Sequence, residues 1–367
     1  MDQNLKNDIF GTIPNQKRIV FLGATKNFFK IGYYTIHYLS QNYPEIKLRL
    51  AVPNIEDARP SCEGANVELV QWDPNNSETL NEAFKECTAS LLVPPINNRV
   101  SVSKKYIDMA VKHKLNFLIN SGVQFTNQDI QIGEESNQVI AMLDNCGIKY
   151  CNLNLPMFLE NLLYQVDDVF EKGIFGFPCN KNSSFSYVSC KDLGKIIADI
   201  FVQEKVYDNT FWTAPAQVSI VQIEQTFTKM MGKQIQFVQV SDQDFIDSLL
   251  RDTGSASSIE AANQILDIWK IIERGEDVQA NNNLKILLGK EPQTASEWVF
   301  EHRCCFNKER SCMHPQPPKK IKIQSPTQNQ ELQVINIDEA NNTFDKQNNL
   351  QIPTSDMKRL SNFRYRL

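Results

Sequence analysis

The sequence predicts an α/β protein: a doubly wound, largely parallel sheet, a smaller α/β C-terminal subdomain and an extended tail. Three observations predict this. Short apolar, partly β-branched runs alternate with amphipathic helical stretches through the first half of the chain. At 367 residues, with 41% hydrophobic and 22% charged residues, the chain suits one large folded body with appendages, or two domains. After residue 305 the composition shifts to Pro, Gln and Lys and helical periodicity is lost.

The elements follow in order. RIVFLG (18–23) is an apolar run ending in glycine and reads as a buried strand. From Phe29 to Tyr43 the pattern turns helical, with Ile36 and Leu39 on one face. IKLRLAVP (46–53) is a second strand, stopped by Pro53, and Glu56 and Asp57 start a short helix. NVELVQWD (66–73) is a third strand. SETLNEAFKEC (77–87) predicts a helix capped by Ser77, with Leu80, Phe84 and Cys87 inward. ASLLVPP (89–95) is a fourth strand closed by two prolines, a helix spans 101–113, and LNFLINSG (115–122) is a fifth strand. This alternation implies right-handed βαβ units and a sheet covered on both faces, a Rossmann-type architecture.

The second half keeps the alternation loosely. A helix is expected over 134–146, a strand in IKYCNLNLP (148–156) and a helix in FLENLLYQVDDVFEK (158–172). SFSYVSCKDLGKIIADIFVQ and VSIVQIEQTFTKMMGKQIQFVQVS each set an extended piece against a helix. Helices near 242–252 and 257–274 precede LKILLGKEPQTASEWVFEHRCC (284–305). The expected organisation is an N-terminal arm (1–16), the sheet domain (17–155), a smaller subdomain interleaved with it (156–305) and a basic tail (306–367).

Charge and cysteine usage exclude several classes. A net charge of -5 argues against broad nucleic-acid binding, which needs a basic surface. No run of eighteen apolar residues suggests a membrane span, and the polar N-terminus lacks an apolar signal core. Nine scattered cysteines, an odd number, read as reduced thiols of a cytoplasmic protein. From residue 305 onwards ten Lys/Arg face six Asp/Glu, so the tail is positive. Within it, IKIQ (321–324) and LQVINI (332–337) alternate like strands, and MKRLSNFRYRL (357–367) is basic with Phe363 and Tyr365 interleaved. Two readings stay open: a solvated tail, or a segment that pairs with a partner's sheet edge or lies in its groove.

Taken in order, RIVFLGAT, VELVQWDPNNSETLNEAF, LLVPP, FLINSGVQ, LNLPMFLENL, FSYVSCKDLGKIIADIF and LLGKEPQTASEWV resemble the NmrA-like family, from about Arg18 to Phe306. This is an atypical branch of the short-chain dehydrogenase/reductases. The resemblance implies a dinucleotide-binding Rossmann fold with the turn Gly-Ala-Thr-Gly-x-x-Gly. Its first glycine makes the turn, its second admits the pyrophosphate, and its third permits close helix–strand packing. Gly23, Ala24 and Thr25 match. Lys26 replaces the second glycine and Phe29 the third, unless Gly32 takes that last role. Either the turn survives as scaffold with its anion site closed, or Lys26 pairs with phosphate as a point charge. The lost backbone approach favours the closed site. Asp73 is placed to cap the adenine site, and Pro94 of LLVPP completes the cofactor-side set. Pro53 stands where the family often has a 2′-phosphate arginine, and Arg59 reads as solvated. The cofactor expectation is therefore none or weak binding, of NADP or NAD if either.

Catalysis in the wider superfamily pairs a serine on the fifth strand with Tyr-x-x-x-Lys on the next helix. Ser121 matches by position, but residues 122–148 hold neither tyrosine nor lysine. The lysine that the branch often retains falls at Ser136. YPEIK (43–47) and YVSCK (187–191) lie elsewhere. HRCCFNKERSCMH brings His302, Cys304, Cys305, Cys312 and His314 together, a donor set that suits zinc. Adjacent cysteines without a second ligand pair make a helix end the simpler reading. His37 and His113 are isolated.

The resulting expectation is a Rossmann-fold binding subunit, structural or regulatory, of a larger assembly. Its tail would engage protein partners, with no nucleic acid or membrane involved; a cytoskeletal or ciliary scaffold would suit such a tail. The alternatives are an NAD(P)(H) sensor and a weak NAD(P)H-dependent oxidoreductase.

Overall fold

The structure, a computed structural model, describes residues 17–22, 31–58, 66–73, 76–206, 213–251, 256, 258–277 and 280–308. Its first half contains β1 (Arg18–Leu22), α1 (Ile31–Asn42), β2 (Lys47–Val52), α2 (Ile55–Ala58), β3 (Val67–Gln71), α3 (Ser77–Phe84), β4 (Ala89–Leu92), α4 (Arg99–Lys112), β5 (Phe117–Val123), α5 (Gln131–Asn145) and β6 (Lys149–Leu155). The six strands form one parallel sheet in the order β3-β2-β1-β4-β5-β6. Phe21 stands in register with Leu50 on one side and Leu91 on the other. Strand order reverses between β1 and β4, which opens a crevice at the carboxyl end of the sheet.

Both faces of this sheet are covered at its centre, which is why β1 and β4 read as largely apolar runs, whereas the edge strand β3 (VELVQ) stays partly exposed. Ile19, Phe21, Leu50 and Ile119 pack with Ile36 and Leu39 of α1 and with Leu193, Ile197 and Phe201 of the later helix 190–203. Val20 and Leu118 pack on the opposite face with Phe84, Ile107, Val139 and Leu143. The crossing of 190–203 over α1 requires glycine at 194. A Cβ there would sit 2.4 Å from Tyr34 Cβ and 2.7 Å from the Tyr34 carbonyl carbon.

The second half continues with β7 (Met157–Phe158), a 3-10 turn (Leu159–Gln165), a π-helical turn (Asp168–Lys172), β8 (Ile174–Phe177), β9 (Ser184–Val188), α6 (Cys190–Gln203), β10 (Ala216–Ser219), α7 (Ile220–Met231), β11 (Gln236–Gln239), α8 (Asp242–Arg251), α9 (Ile259–Arg274), α10 (Asn283–Leu288), α11 (Ala295–Glu301) and α12 (Arg303–Phe306). Two small sheets, β10-β9-β7 and β11-β8, anchor it. Its core is aromatic: Phe177 stacks on Trp269 at 4.4 Å, and Phe306 meets Phe227 at 5.0 Å.

Several expected elements shift for identifiable reasons. The single helix expected over 158–172 is a 3-10 turn followed by a π-helical turn. Leu159, Leu162 and Gln165, all buried, recur every three residues, the period of a 3-10 helix. Gln165 also accepts a hydrogen bond from the Gly176 N–H at 3.2 Å, a tertiary bond that periodicity does not encode. Asn76, not Ser77, caps α3, its side chain accepting from the Glu78 N–H. Helix α4 begins at Arg99 because Asn98 adopts a left-handed conformation, φ 55°, immediately before it. Among the described residues no helix is long and apolar enough to cross a membrane. The N-terminal arm and the chain beyond Lys308, including IKIQ, LQVINI and the basic terminus, lie outside the described residues.

Candidate functional site

Sheets of this topology bind ligands beyond the carboxyl ends of their strands, where the order reverses. There β4 runs out into Val93, which is exposed, and Pro94, which is buried. Gly32 is buried in the first turn of α1. Asp73 lies exposed just past β3; its N–H donates to Thr79 Oγ1 at 2.9 Å and its carbonyl accepts from the Asn76 N–H at 3.0 Å. Pro53, beyond β2, is exposed and offers no N–H. Gly23, Ala24, Thr25, Lys26, Phe28, Phe29, Lys30 and Arg59 lie outside the described residues.

The structure does not bring the two serines together. Ser121 shares the parity of Phe117 and Ile119, which face the α1/α6 layer. Ser136 sits on α5, in the layer on the opposite face, and its hydroxyl donates to the Ile132 carbonyl at 2.6 Å. That bond stays within its own helix turn. From Gln131 to Asn145, α5 carries no tyrosine, lysine or histidine.

Above β5 and β6 lies a polar ladder that the sequence reading missed. Asn120 donates to Asn152 Oδ1 at 2.6 Å, and Asn152 donates to Asn154 Oδ1 at 2.9 Å, all three side chains being buried. Gly122 leaves room for it: a Cβ there would lie 2.8 and 2.9 Å from the Oδ1 atoms of Asn152 and Asn154. The available signal was Asn at alternate positions, NLN, in an otherwise apolar strand. Just past β5, Gln124 donates to Asp277 at 2.5 Å, and Asp277 accepts the Ser186 N–H of β9. These bonds tie the crevice to the second half.

Among the described residues, two of the cavities beside the sheet hold buried ionisable groups. The first, about 420 Å³, lies at its carboxyl end between the start of α4, the start of α5 and α9, lined among others by Asn97, Arg99, Ser101, Glu135 and Gln264. Arg99 is only 3% exposed. Burial lowers its pKa to about 10, against the opposing pull of Glu135, so it remains a cation at neutral pH. Among the described residues no hydrogen bond or ion pair engages its guanidinium, and its Nε is buried without a partner. Glu135 Oε2 and Gln264 Oε1 are likewise buried and unpartnered, although Glu135 Oε1 accepts from Gln131 at 2.9 Å.

The second cavity, about 430 Å³, lies in the α1/α6 layer and includes Tyr33, Tyr34 and His37 of α1, Glu160, Lys191 and Trp298 in its lining. Glu160 is fully buried. Its two oxygens accept the Cys190 N–H at 3.0 Å each, and Oε1 also accepts Trp298 Nε1–H at 3.3 Å. Burial pushes its pKa up to about 7 in spite of these bonds. The carboxyl group is thus committed to the first N–H of α6 and to α11, which fixes the fold.

The zinc-suited set is dispersed. Cys305 is fully buried in the aromatic core, and Cys304 packs partly against it. His302 stacks on Trp298 at 4.0 Å with Nδ1 2.8 Å from the Trp298 carbonyl oxygen. Cys312 and His314 lie outside the described residues. Among the described residues no group of three His, Cys, Asp or Glu side chains could hold a metal ion. His37 bonds Gln41 and His113 bonds Asn81, each on the protein surface or near it.

Comparison with known proteins follows the same lines. Residues 15–299 match the NmrA-like family. Quinone oxidoreductase 2 of Escherichia coli (strain K12) is 22% identical over 290 residues, 77% of this chain and 97% of that protein. Agroclavine dehydrogenase of Claviceps fusiformis is 20% identical over 236 residues, 62% of this chain and 79% of that protein. The crystal structure of the Escherichia coli NADPH-dependent quinone oxidoreductase complexed with NADPH has a TM-score of 0.64 at 20% identity, covering 77% of this chain and 99% of that one. That of NmrA, a negative transcriptional regulator, in complex with NADP has a TM-score of 0.62 at 12% identity, covering 82% and 99%. At these identities the structural likeness speaks for the fold.

Proposed function

The chain belongs to the NmrA-like family, and from that premise we propose that it works by binding, as a regulatory or structural subunit whose crevice takes a dinucleotide without reducing a substrate. The observation that carries this reading is on α5. Its only hydroxyl, on Ser136, is bonded to its own helix, and no tyrosine, lysine or histidine stands there to exchange a proton with a carbonyl. The relatives solved with NADP or NADPH support NADP as the dinucleotide. The fit is partial. Sheet order and crevice suit the cofactor, and Asp73 and Pro94 would border it; Pro53 supplies no donor for a 2′-phosphate, which favours a weak hold. Bound, the group would supply a hydride; the chain's own residues, on this reading, hold and orient it. The segment beyond Lys308 would serve as the tether to a protein partner.

A second reading, an NADPH-dependent reductase of quinones, is favoured by the near full-length likeness to quinone oxidoreductase 2. Hydride transfer to a quinone needs little acid–base help from the protein. Steady-state oxidation of NADPH in the presence of a quinone separates the two. The binding reading expects no rate above the protein-free mixture; a saturable, protein-dependent rate replaces it with the second.

A further inference from the structure

We propose that the cavity at Arg99 is a binding site for a small monocarboxylate carrying a hydroxyl or ammonium donor, a hydroxy acid or amino acid. Three observations converge on it. Arg99 is buried at the start of α4 and, among the described residues, its guanidinium is engaged by no acceptor, with Nε fully desolvated and unused. Its charged neighbour Glu135 pulls on it only at a distance, without the hydrogen bond that normally makes a buried cation tolerable. The planar fork of a guanidinium matches a carboxylate in two parallel hydrogen bonds.

The other unpartnered atoms define the rest of the ligand. Glu135 Oε2 and Gln264 Oε1 are buried acceptors in the lining of the same cavity, and they call for a donor on the ligand. Glu135 places negative charge near the cation and Glu260 adds another carboxylate to the lining, so a singly charged acid with its own donor suits the cavity better than phosphate. Lys104, the other lining cation, is already paired with Asp108 at 2.7 Å. A volume of about 420 Å³ admits a ligand of several heavy atoms. The position, at the carboxyl end of the sheet beside the crevice, is where the topology places ligands. The cavity is built from α4, α5 and α9 and needs no dinucleotide, so this inference stands apart from the function proposed above.

The test uses the full-length protein and thermal-shift or calorimetric titrations with lactate, glycine, acetate and inorganic phosphate, against sodium chloride at equal ionic strength. Lactate or glycine is expected to stabilise saturably, with acetate, which lacks the donor, weaker and phosphate without effect. Arg99→Gln should weaken the preferred acid by about tenfold or more, as expected for losing charge-assisted bonds. Glu135→Gln, which keeps Arg99 in place, should remove the preference over acetate. Two results would overturn the proposal: no carboxylate acting beyond chloride on the wild-type protein, or Arg99→Gln sparing the acid while abolishing NADPH binding, which would give the cavity to the dinucleotide.

Discussion

Two buried ionisable side chains at opposite faces of the sheet make an instructive pair. Glu160 and Arg99 are both removed from water, and each lines a cavity of similar size. Glu160 has both oxygens bonded, to the first N–H of α6 and to the Trp298 indole, so its carboxyl group belongs to the fold. Arg99 has no acceptor among the described residues, and two unpartnered acceptors line its cavity, so its charge is left for something else. Burial alone does not mark a functional residue; the accounting of hydrogen-bond partners does.

The pair can be broken or sharpened by substitution. The largest effect is expected for Glu160→Ala, which orphans the Cys190 N–H and the Trp298 indole N–H. It should cost about 2–4 kcal/mol in chemical denaturation, from two unmade buried bonds. A cost under about 1 kcal/mol would mean that Glu160 is no more structural than Arg99.

Next is pH. The Glu160 pKa is raised from 4.5 to about 7, so folding favours its protonated form. The resulting stability is fully present below pH 4.5 and is lost as pH rises through about 7. The wild type should therefore lose on the order of 1–3 kcal/mol over that interval relative to Glu160→Gln, which cannot titrate. Parallel pH–stability curves for the two proteins would contradict this.

Smaller still is Arg99→Leu, which breaks no hydrogen bond among the described residues. Its stability should stay within about 1 kcal/mol of wild type or rise, since an apolar side chain needs no desolvation. A loss of several kcal/mol would make Arg99 a second structural charge. The smallest effect is expected on removing residues 309–367. The aromatic core closes at Phe306, so the melting temperature should hardly move, whereas association with a protein partner should disappear. Unchanged association would remove the tether from the proposed function.

The same contrast explains what could be read from the sequence. The central strands of the main sheet were legible because a sheet buried on both faces needs continuous apolar runs, as in IVFL of β1. The stretch 158–172 was legible as helical but not in its 3-10 and π-helical forms, where buried Glu160 and Gln165 make tertiary bonds. Single charged letters carry no periodicity, so Arg99 went unnoticed and Glu160 entered only as a letter of LNLPMFLENL. Ser121 and Ser136 lie on β5 and α5, yet the parity of Ser121, which turns it away from the layer that holds α5, was not weighed. The Gly23–Lys26 turn and the tail lie outside the described residues, so the anion site at Lys26 stays an expectation.

The central claim, binding without reduction, is tested most directly by one mixing experiment. Full-length protein in excess over NADPH is mixed with a quinone while the fluorescence of the bound nucleotide is followed. The account predicts an enhanced signal that persists after the quinone arrives. Decay of that signal as NADPH is oxidised on the protein, or no enhancement at all, would contradict it.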